Sequence, residues 1–125
     1  MIIRIDELSD VPIYQQIRNQ IVMGISDGEL KAGEQLPTVR ALALEMGINT
    51  MTVSKAYQQL KMEGYIMTDR KFGARVRMEI EKQGSISDTN KTELKRIVSE
   101  ARLSGVPKQE LLRLVEEYYG KDSQD

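Results

Sequence analysis

The chain contains no cysteine, no histidine and no tryptophan among its 125 residues. The absence of cysteine excludes disulfide scaffolds, thiolate zinc sites and thiol catalysis. The absence of histidine removes the side chain that most often acts as a general base near neutral pH. We therefore expect a protein that is not an enzyme and that carries neither a metal site nor a cofactor.

Long hydrophobic runs are also missing. No stretch approaches the roughly 18 apolar residues of a membrane-spanning helix, and no charged-then-apolar leader opens the chain. We therefore expect no membrane association and a cytoplasmic location. Hydrophobic residues still make up 40% of the chain and charged residues 30%, which is typical of a globular protein with its own core. A length of 125 residues favours one compact domain, or a small domain with an appendage.

A strong overall charge is likewise absent, since the net charge is −1 and the isoelectric point is about 5.6. Taken over the whole chain, these values argue against a nucleic-acid partner. The charge is unevenly distributed, however. The 42 residues from 36 to 77 carry seven basic and three acidic residues, or +4, whereas the other 83 carry 11 basic and 16 acidic residues, or −5. This distribution indicates a basic segment suited to DNA within an acidic remainder.

Three short helices are predicted in the first half of the chain. The first covers residues 12–28, where an isoleucine stands at every fourth position from 13 to 25. Thr38 is a suitable N-cap for a second helix that stops at Gly47, and Asn49 is one for a third that ends at Gly64. Core-facing residues recur at helical spacing in both: Val39, Leu42, Ala43 and Met46, then Val53, Ala56, Tyr57 and Leu60.

A hairpin and two further helices are predicted downstream. Residues 65–68 and 74–78 favour strands, and residues 69–73 would turn between them. A polar linker over residues 83–90 leads to two amphipathic helices, the first ending at Gly105 and the second opening at Pro107.

The predicted fold is mainly α with a small β-hairpin. Residues 1–80 would form a winged helix-turn-helix DNA-binding domain, and residues 81–125 a linker and a two-helix dimerisation region. The seven methionines, among them Met46, Met62 and Met67, are expected to fill the core.

The third helix carries the first group of candidate DNA contacts. Opposite its core face, near the positive end of the helix, stand Thr50, Met51, Ser54 and Lys55. Short polar side chains and one cation at a helix N-terminus suit insertion into the major groove. The alternative is that Asn49 and Thr52 cap the helix and that its polar face is merely solvated.

The second group of candidate contacts lies in the second helix and in the hairpin. Thr38, at the start of this helix, is a candidate DNA contact. Arg40 stands off the apolar stripe of the same helix and is suited to a phosphate or guanine contact. Arg70, Lys71 and Arg75 surround the hairpin turn, where Gly73 permits close approach to DNA. The alternatives are a surface ion pair for Arg40 and edge-strand charges that discourage aggregation.

Several spaced motifs together resemble the GntR family of bacterial transcription regulators. The resemblance is carried by residues 12–17, by residues 28–43 and by residues 47–57, and it continues in register at Leu60, Glu63 and Gly64. It implies a winged helix-turn-helix that binds operator DNA as a dimer. The family's DNA-contacting positions then fall on Arg40, Asn49, Thr50, Thr52, Ser54, Arg70 and Lys71.

Two positions depart from the family pattern. Many relatives have arginine where this chain has Thr50, so a guanine-reading fork is missing there. The wing often contains Gly-x-Gly, whereas Lys71 replaces the first of these glycines and only Gly73 is kept.

The short tail is similar to that of the YtrA-like subfamily. This resemblance implies dimerisation through the two tail helices and control of genes for ABC-type transport systems. The residues support dimerisation independently, because two short amphipathic helices cannot bury both apolar faces alone. The alternative is that they pack back on their own DNA-binding domain. The candidate dimer contacts are Leu94, Ile97, Val98, Leu111, Leu114, Val115 and Tyr118.

The sequence therefore predicts a sequence-specific DNA-binding transcriptional regulator, a homodimeric repressor on a palindromic operator. The alternative is a winged-helix module that binds protein partners without specific DNA binding. A small-molecule effector is left open, and it would need a pocket at the dimer interface or between tail and winged domain. The choice between repressor and activator depends on operator position, which the protein sequence does not contain.

Overall fold

The computed structural model describes residues 1–120 and contains, in that range, five helices and one two-stranded hairpin. The elements are α1 (Ile13–Asp27), α2 (Val39–Met46), α3 (Thr50–Met62), β1 (Ile66–Asp69), β2 (Gly73–Val76), α4 (Asp88–Leu103) and α5 (Lys108–Tyr119). They divide into two compact units, Met1–Lys82 and the region from Gln83 onward. The fold class predicted from the sequence is confirmed. The domain boundary after residue 80 stays a prediction, and residues 121–125 of the predicted second region lie outside the described residues.

The helix ends in the first unit are set by capping residues. Thr38 Oγ1 accepts a hydrogen bond from the Ala41 N–H at 3.0 Å, and Asn49 Oδ1 accepts one from the Met51 N–H at 2.7 Å. Gly47 ends α2 with a φ of +67°, a left-handed conformation that glycine adopts without strain. Three residues therefore separate α2 from α3, which gives the tight turn of a helix-turn-helix.

The core of the first unit draws on all three helices and the hairpin. Ile17, Ile21, Val53 and Leu60 have no exposed surface, and each such burial contributes about 1.5–3 kcal/mol. The predicted apolar stripes of α2 and α3 are confirmed, since every predicted core position is buried or half-buried. Helix α3 is thereby packed against both α1 and α2, with its opposite face toward solvent.

The expectation that the seven methionines fill the core is wrong for six of them, since Met1, Met23, Met51 and Met78 are exposed along with Met62 and Met67. Met46 is half-buried against the core, but Met62 is 87% exposed and Met67 is 40% exposed. Met62 lies two residues after Leu60, which places it on the other side of α3. Met67 follows buried Ile66 in β1, and successive strand residues point to opposite faces.

The hairpin is held by a third segment that the sequence did not reveal. Strands β1 and β2 pair antiparallel from Ile66↔Val76 to Asp69↔Gly73, and residues 70–72 form the loop. Strand β2 also pairs with the segment before α2: the Leu36 N–H donates to the Ala74 carbonyl and the Val76 N–H donates to the Glu34 carbonyl, each at 2.8 Å. The wing is therefore fixed to the entrance of α2.

The predicted strand bounds need a correction. Strand β2 ends at Val76, two residues before the predicted end, because its partner strand begins at Ile66, directly after the turn out of α3. At the other end, Asp69 and Gly73 belong to the strands, and the loop is correspondingly shorter than predicted.

The N-terminal segment lies along α1. Ile3 and Ile5 pack against the core. Two glutamine side chains of α1 form hydrogen bonds with the backbone of the neighbouring residues Arg4 and Asp6. The Gln20 amide bonds both the N–H and the carbonyl of Arg4, and the Gln16 amide does the same for Asp6. The first residues thus extend the winged unit on the α1 side.

The second unit contributes α4 and α5. Ser87 Oγ accepts a hydrogen bond from the Asn90 N–H at 3.1 Å, so α4 begins inside the predicted linker of residues 83–90. That prediction was wrong because a serine with a free hydroxyl starts a helix as readily as it extends a linker. Neither α4 nor α5 has a fully buried side chain. Of the helices in residues 1–120, none combines the length and apolar character that crossing a membrane requires.

Candidate DNA interface

The N-terminal half of α3 presents the side chains predicted for the major groove. Thr50, Met51 and Lys55 are exposed, whereas Ser54 and Thr52 are half-buried. This end of the helix carries its partial positive charge, and its first-turn N–H groups point outward. A helix end of this kind can approach phosphates and base edges without a steric barrier.

Lys55 is held in place by an aromatic ring that the sequence did not connect with it. Its Nζ lies 4.1 Å from the centroid of the Tyr14 ring on α1. A cation over an aromatic face is attracted to the ring by about 0.5–1 kcal/mol at an exposed site, which favours this position of the side chain. The side chain of Lys55 is therefore positioned next to the Tyr14 ring before any ligand binds. Residues 41 positions apart on a chain carry no local signal of such a contact.

A second predicted cation lies at the start of α2. Arg40 is exposed in the first turn of α2, and Thr38 acts as the N-cap of that helix. The Tyr57 hydroxyl donates a hydrogen bond to the Pro37 carbonyl at 2.7 Å, which links α3 to the residue before the cap. Burial raises the pKa of Tyr57, so the phenol stays protonated and keeps donating.

The wing carries the remaining predicted cations. Arg70 and Lys71 are exposed in the loop, and Gly73 has a φ of +71° that closes the turn. Arg75 lies within β2 opposite Met67, inside the strand predicted for residues 74–78, and is half-buried. Its guanidinium stands 4.6 Å from the centroid of the Phe72 ring. Sequence reasoning missed Phe72, because a single aromatic residue in a loop follows no periodic pattern.

A groove joins these three elements into one surface. A cavity of about 310 Å³ lies between the start of α2, helix α3 and the wing, and its walls include Thr38, Ser54, Tyr57, Thr68 and Gly73. Ser54 also borders the neighbouring hollow formed with Met51, Lys55 and Tyr14. Of the predicted contacts, the groove brings together Thr38, Ser54 and Gly73, and the hollow shares Ser54 with it. The DNA-binding role of each residue stays a prediction.

The cations of this surface are not neutralised internally. The salt bridges found in residues 1–120 join Arg18 to Glu63, Arg96 to Glu93 and Glu100, and Arg113 to Glu110. None of them uses a cation of the predicted interface, whose members are Arg40, Lys55, Arg70, Lys71 and Arg75. Their positive charge is therefore available to an external anion such as a phosphate.

The predicted dimer contacts lie on α4 and α5 and are incompletely covered. Leu94 is 49% exposed, Ile97, Val98, Val115 and Tyr118 are also exposed, and Leu111 and Leu114 are half-buried. Apolar stripes left open along two helices are typical of a protein–protein contact. The dimer itself stays a prediction.

Comparison with protein families and relatives agrees with the winged unit. Residues 13–76 match the family described as bacterial regulatory proteins, gntR family. The chain is 37% identical over 71 residues to the HTH-type transcriptional regulator Rv1152 of Mycobacterium tuberculosis, with 57% of this chain and 59% of that protein covered. It is 36% identical over 118 residues to the HTH-type transcriptional repressor YtrA of Bacillus subtilis, with 92% and 90% covered.

Solved structures share the same architecture. A transcriptional antiterminator from Listeria monocytogenes EGD-e gives a TM-score of 0.77 at 28% identity over 100% of this chain and 98% of that one. YtrA from Sulfolobus acidocaldarius, a GntR-family transcription factor, gives 0.62 at 39% identity, with 82% and 99% covered. AraR(DBD) in complex with operator ORX1 gives 0.52 at 25% identity, with 58% and 90% covered.

The family match spans α1 to the end of β2, the elements that carry the predicted DNA contacts. Rv1152 is described as a transcriptional regulator and YtrA of Bacillus subtilis as a transcriptional repressor. The chain belongs to the GntR family of bacterial regulatory proteins.

Proposed function

We propose that this chain is a homodimeric repressor that binds a palindromic operator. Helix α3 enters the major groove with its N-terminal half, and the wing lies against the flanking backbone and minor groove. The observation that carries the proposal is the set of five cations on α2, α3 and the wing, none of them in a salt bridge with a carboxylate within residues 1–120. The repressor role rests on the similarity to YtrA.

The side chains divide into base contacts and phosphate contacts. On α3, Thr50 and Ser54 can donate to base edges, and exposed Met51 offers an apolar contact for a thymine methyl group. Lys55, restrained by Tyr14, and Arg40 supply point charges for phosphates. Without an arginine at position 50, binding depends more on phosphates and on several weak base contacts than on one guanine fork.

The homodimer is formed by α4 and α5. A second copy covers the exposed apolar residues of these helices, because a two-fold contact places the same stripe on both subunits. Two winged units related by a two-fold axis bind two inverted half-sites, separated by about 34–36 Å or one helical turn. A palindromic operator follows from that symmetry.

The regulated genes are proposed to encode an ABC-type transport system. Support comes from the similarity to YtrA-like regulators, which extends over 92% of the chain and so includes the tail helices. Binding to the promoter of an adjacent transporter operon, with raised transcription when the regulator is deleted, would support this assignment. Footprints confined to unrelated promoters would contradict it.

The experiment that tests DNA binding is selection of duplexes from a randomised pool by the full chain, followed by footprinting. We expect an enriched inverted repeat and two protected half-sites one helical turn apart. Affinity should fall steeply with salt, because each neutralised phosphate releases about 0.9 counterions. Failure to enrich any sequence, together with capture of a protein partner at unchanged strength in high salt, would favour the protein-interaction alternative.

Two alanine variants and one control sharpen the assay. Arg40→Ala and Lys55→Ala should each weaken binding to the selected duplex and lower the salt slope by about 1. Lys31→Ala is the matched control, because Lys31 is an exposed cation of the same unit. It lies close in sequence to Gly33, whose N–H donates to the Val76 carbonyl. That hydrogen bond is at the end of the hairpin opposite the wing loop. Equal losses in all three variants would contradict the assignment of the surface.

A further inference from the structure

The wing loop contains one apolar side chain between its cations. Phe72 lies between β1 and β2, keeps 41% of its surface exposed and takes no part in the core of the first unit. An isolated exposed apolar residue is ordinary by itself. What distinguishes Phe72 is how firmly its backbone and its ring are held.

The backbone of Phe72 is fixed on both sides. Its N–H donates a hydrogen bond to Asp69 Oδ1 at 2.5 Å, and its carbonyl accepts one from Gln35 Nε2 at 2.9 Å. Gln35 belongs to the segment that pairs with β2 before α2 begins. The loop residue is therefore tied both to the hairpin and to the helix-turn-helix, which fixes the direction in which its side chain leaves the chain.

The ring is accompanied by two cations. The Arg75 guanidinium lies 4.6 Å and the Lys71 Nζ 5.3 Å from the ring centroid. Arg75 Nε is buried and has no hydrogen-bond partner within residues 1–120, so the ring rather than an acceptor sets the place of the guanidinium. The wing thus presents an uncharged ring with positive charge directly beside it.

We propose that Phe72 contacts the floor of the operator's minor groove and selects A·T pairs there. Lys71 and Arg75 bind the phosphates on either side. The ring has no donor or acceptor, so it favours a groove floor without the guanine N2 amino group, which only a G·C pair presents. Stacking between two base pairs would displace the guanidinium, so we expect contact without intercalation.

This proposal rests on the proposed DNA-binding function and is tested with the duplex that the full chain selects. Each A·T pair flanking the major-groove contacts is replaced in turn by G·C and by I·C. Inosine lacks the N2 amino group, so I·C resembles A·T in the minor groove and G·C in the major groove. Under the Phe72 ring we expect G·C to weaken binding about tenfold, the cost of a typical unfavourable base pair, and I·C to leave it unchanged.

The Phe72→Ala variant should lose this discrimination while keeping the inverted-repeat preference of the wild type. Met67→Ala is the matched control, since Met67 lies on the same hairpin and is 40% exposed. It should discriminate as the wild type does. Phe72→Trp adds a second readout: the chain has no other tryptophan, and its emission should change on binding the selected duplex but not on raising salt alone.

The outcomes separate the two proposals. If the full chain selects no duplex, the proposed function fails. If a duplex is selected and Phe72→Ala keeps the wild-type preference for A·T over G·C, only the Phe72 proposal is overturned. Equal weakening by G·C and I·C overturns it as well, because that pattern indicates a major-groove contact.

Discussion

The hydrogen bond from the Tyr57 hydroxyl to the Pro37 carbonyl gives a prediction about the stability of the first unit. The Tyr57 side chain is buried, and its hydroxyl is the donor at 2.7 Å. Tyr57→Phe keeps the ring and removes only this bond, leaving the carbonyl without its partner. We expect a loss of about 1–2 kcal/mol in the free energy of unfolding, since a hydrogen bond contributes about 0.5–1.5 kcal/mol and an unsatisfied acceptor adds to the cost.

Urea unfolding followed by circular dichroism, at one fixed protein concentration, measures this loss. A midpoint decrease of about 0.5–1 M is expected for a slope of about 2 kcal/mol per molar urea. Tyr65→Phe is the control: Tyr65 is half-buried, and its hydroxyl makes no hydrogen bond within residues 1–120. Equal midpoints for the wild type and Tyr57→Phe, or equal decreases in both variants, would refute the role given to the Tyr57 hydroxyl.

The same bond predicts a pH dependence. The pKa of Tyr57 is raised in the folded protein by burial, whereas in the unfolded chain it is about 10. Below pH 10 both states keep the proton, so the full stability is present. Above it, only the unfolded chain releases the proton, and stability decreases by up to about 1.4 kcal/mol per pH unit until the folded pKa is passed. Tyr57→Phe has no phenol to titrate, so its stability should decrease less than that of the wild type as the pH rises. Urea midpoints of both proteins between pH 9 and 11 measure the difference.

Two further predictions concern the core and the dimer. Ile17→Ala should lower the free energy of unfolding by about 2–5 kcal/mol because the side chain is fully buried, whereas Ile2→Ala, at an 82% exposed position, should change it by less than about 0.5 kcal/mol. Urea midpoints compare the two, and similar losses would contradict the core assignment. Val98→Asp should shift the sedimentation equilibrium toward monomer, because it places a charge in the proposed α4–α5 contact. Thr92→Asp, on the other side of α4, should leave it a dimer, and an unchanged mass for Val98→Asp would exclude that contact.

The elements that the sequence predicted well are those determined by local periodicity. Leu60 and Val53 recur at helical spacing, so the buried face of α3 follows from backbone geometry. The residues of α3 that are not on this buried face must point toward solvent. For this reason the candidate contacts Thr50 and Lys55 are exposed in the structure. Asn49 could be predicted as a cap for the same reason, since capping involves only neighbouring residues.

The contacts that escaped prediction join residues far apart in the chain. The Tyr14 ring beside Lys55 and the pairing of Gln35 with the wing depend on how α1, α2 and the hairpin pack together. No residue spacing encodes such contacts, because they form only after the core has fixed the elements relative to one another. The wing was therefore predicted as a basic hairpin, and the ring of Phe72 that organises its cations was not.

The positive charge of the interface follows from where the structure uses its few acidic residues. The segment from 36 to 77 has only Glu45, Glu63 and Asp69 to set against seven cations. Glu63 pairs with Arg18 of α1 at 2.9 Å, and Asp69 accepts the hydrogen bond of the Phe72 N–H. Two of the three carboxylates are thus engaged in holding α3 and the wing in place. Neither contact involves a cation of the predicted interface, and none of those cations has a carboxylate partner within residues 1–120. For this reason the net charge of the whole chain, −1, does not describe the electrostatic field that a DNA phosphate meets at this surface.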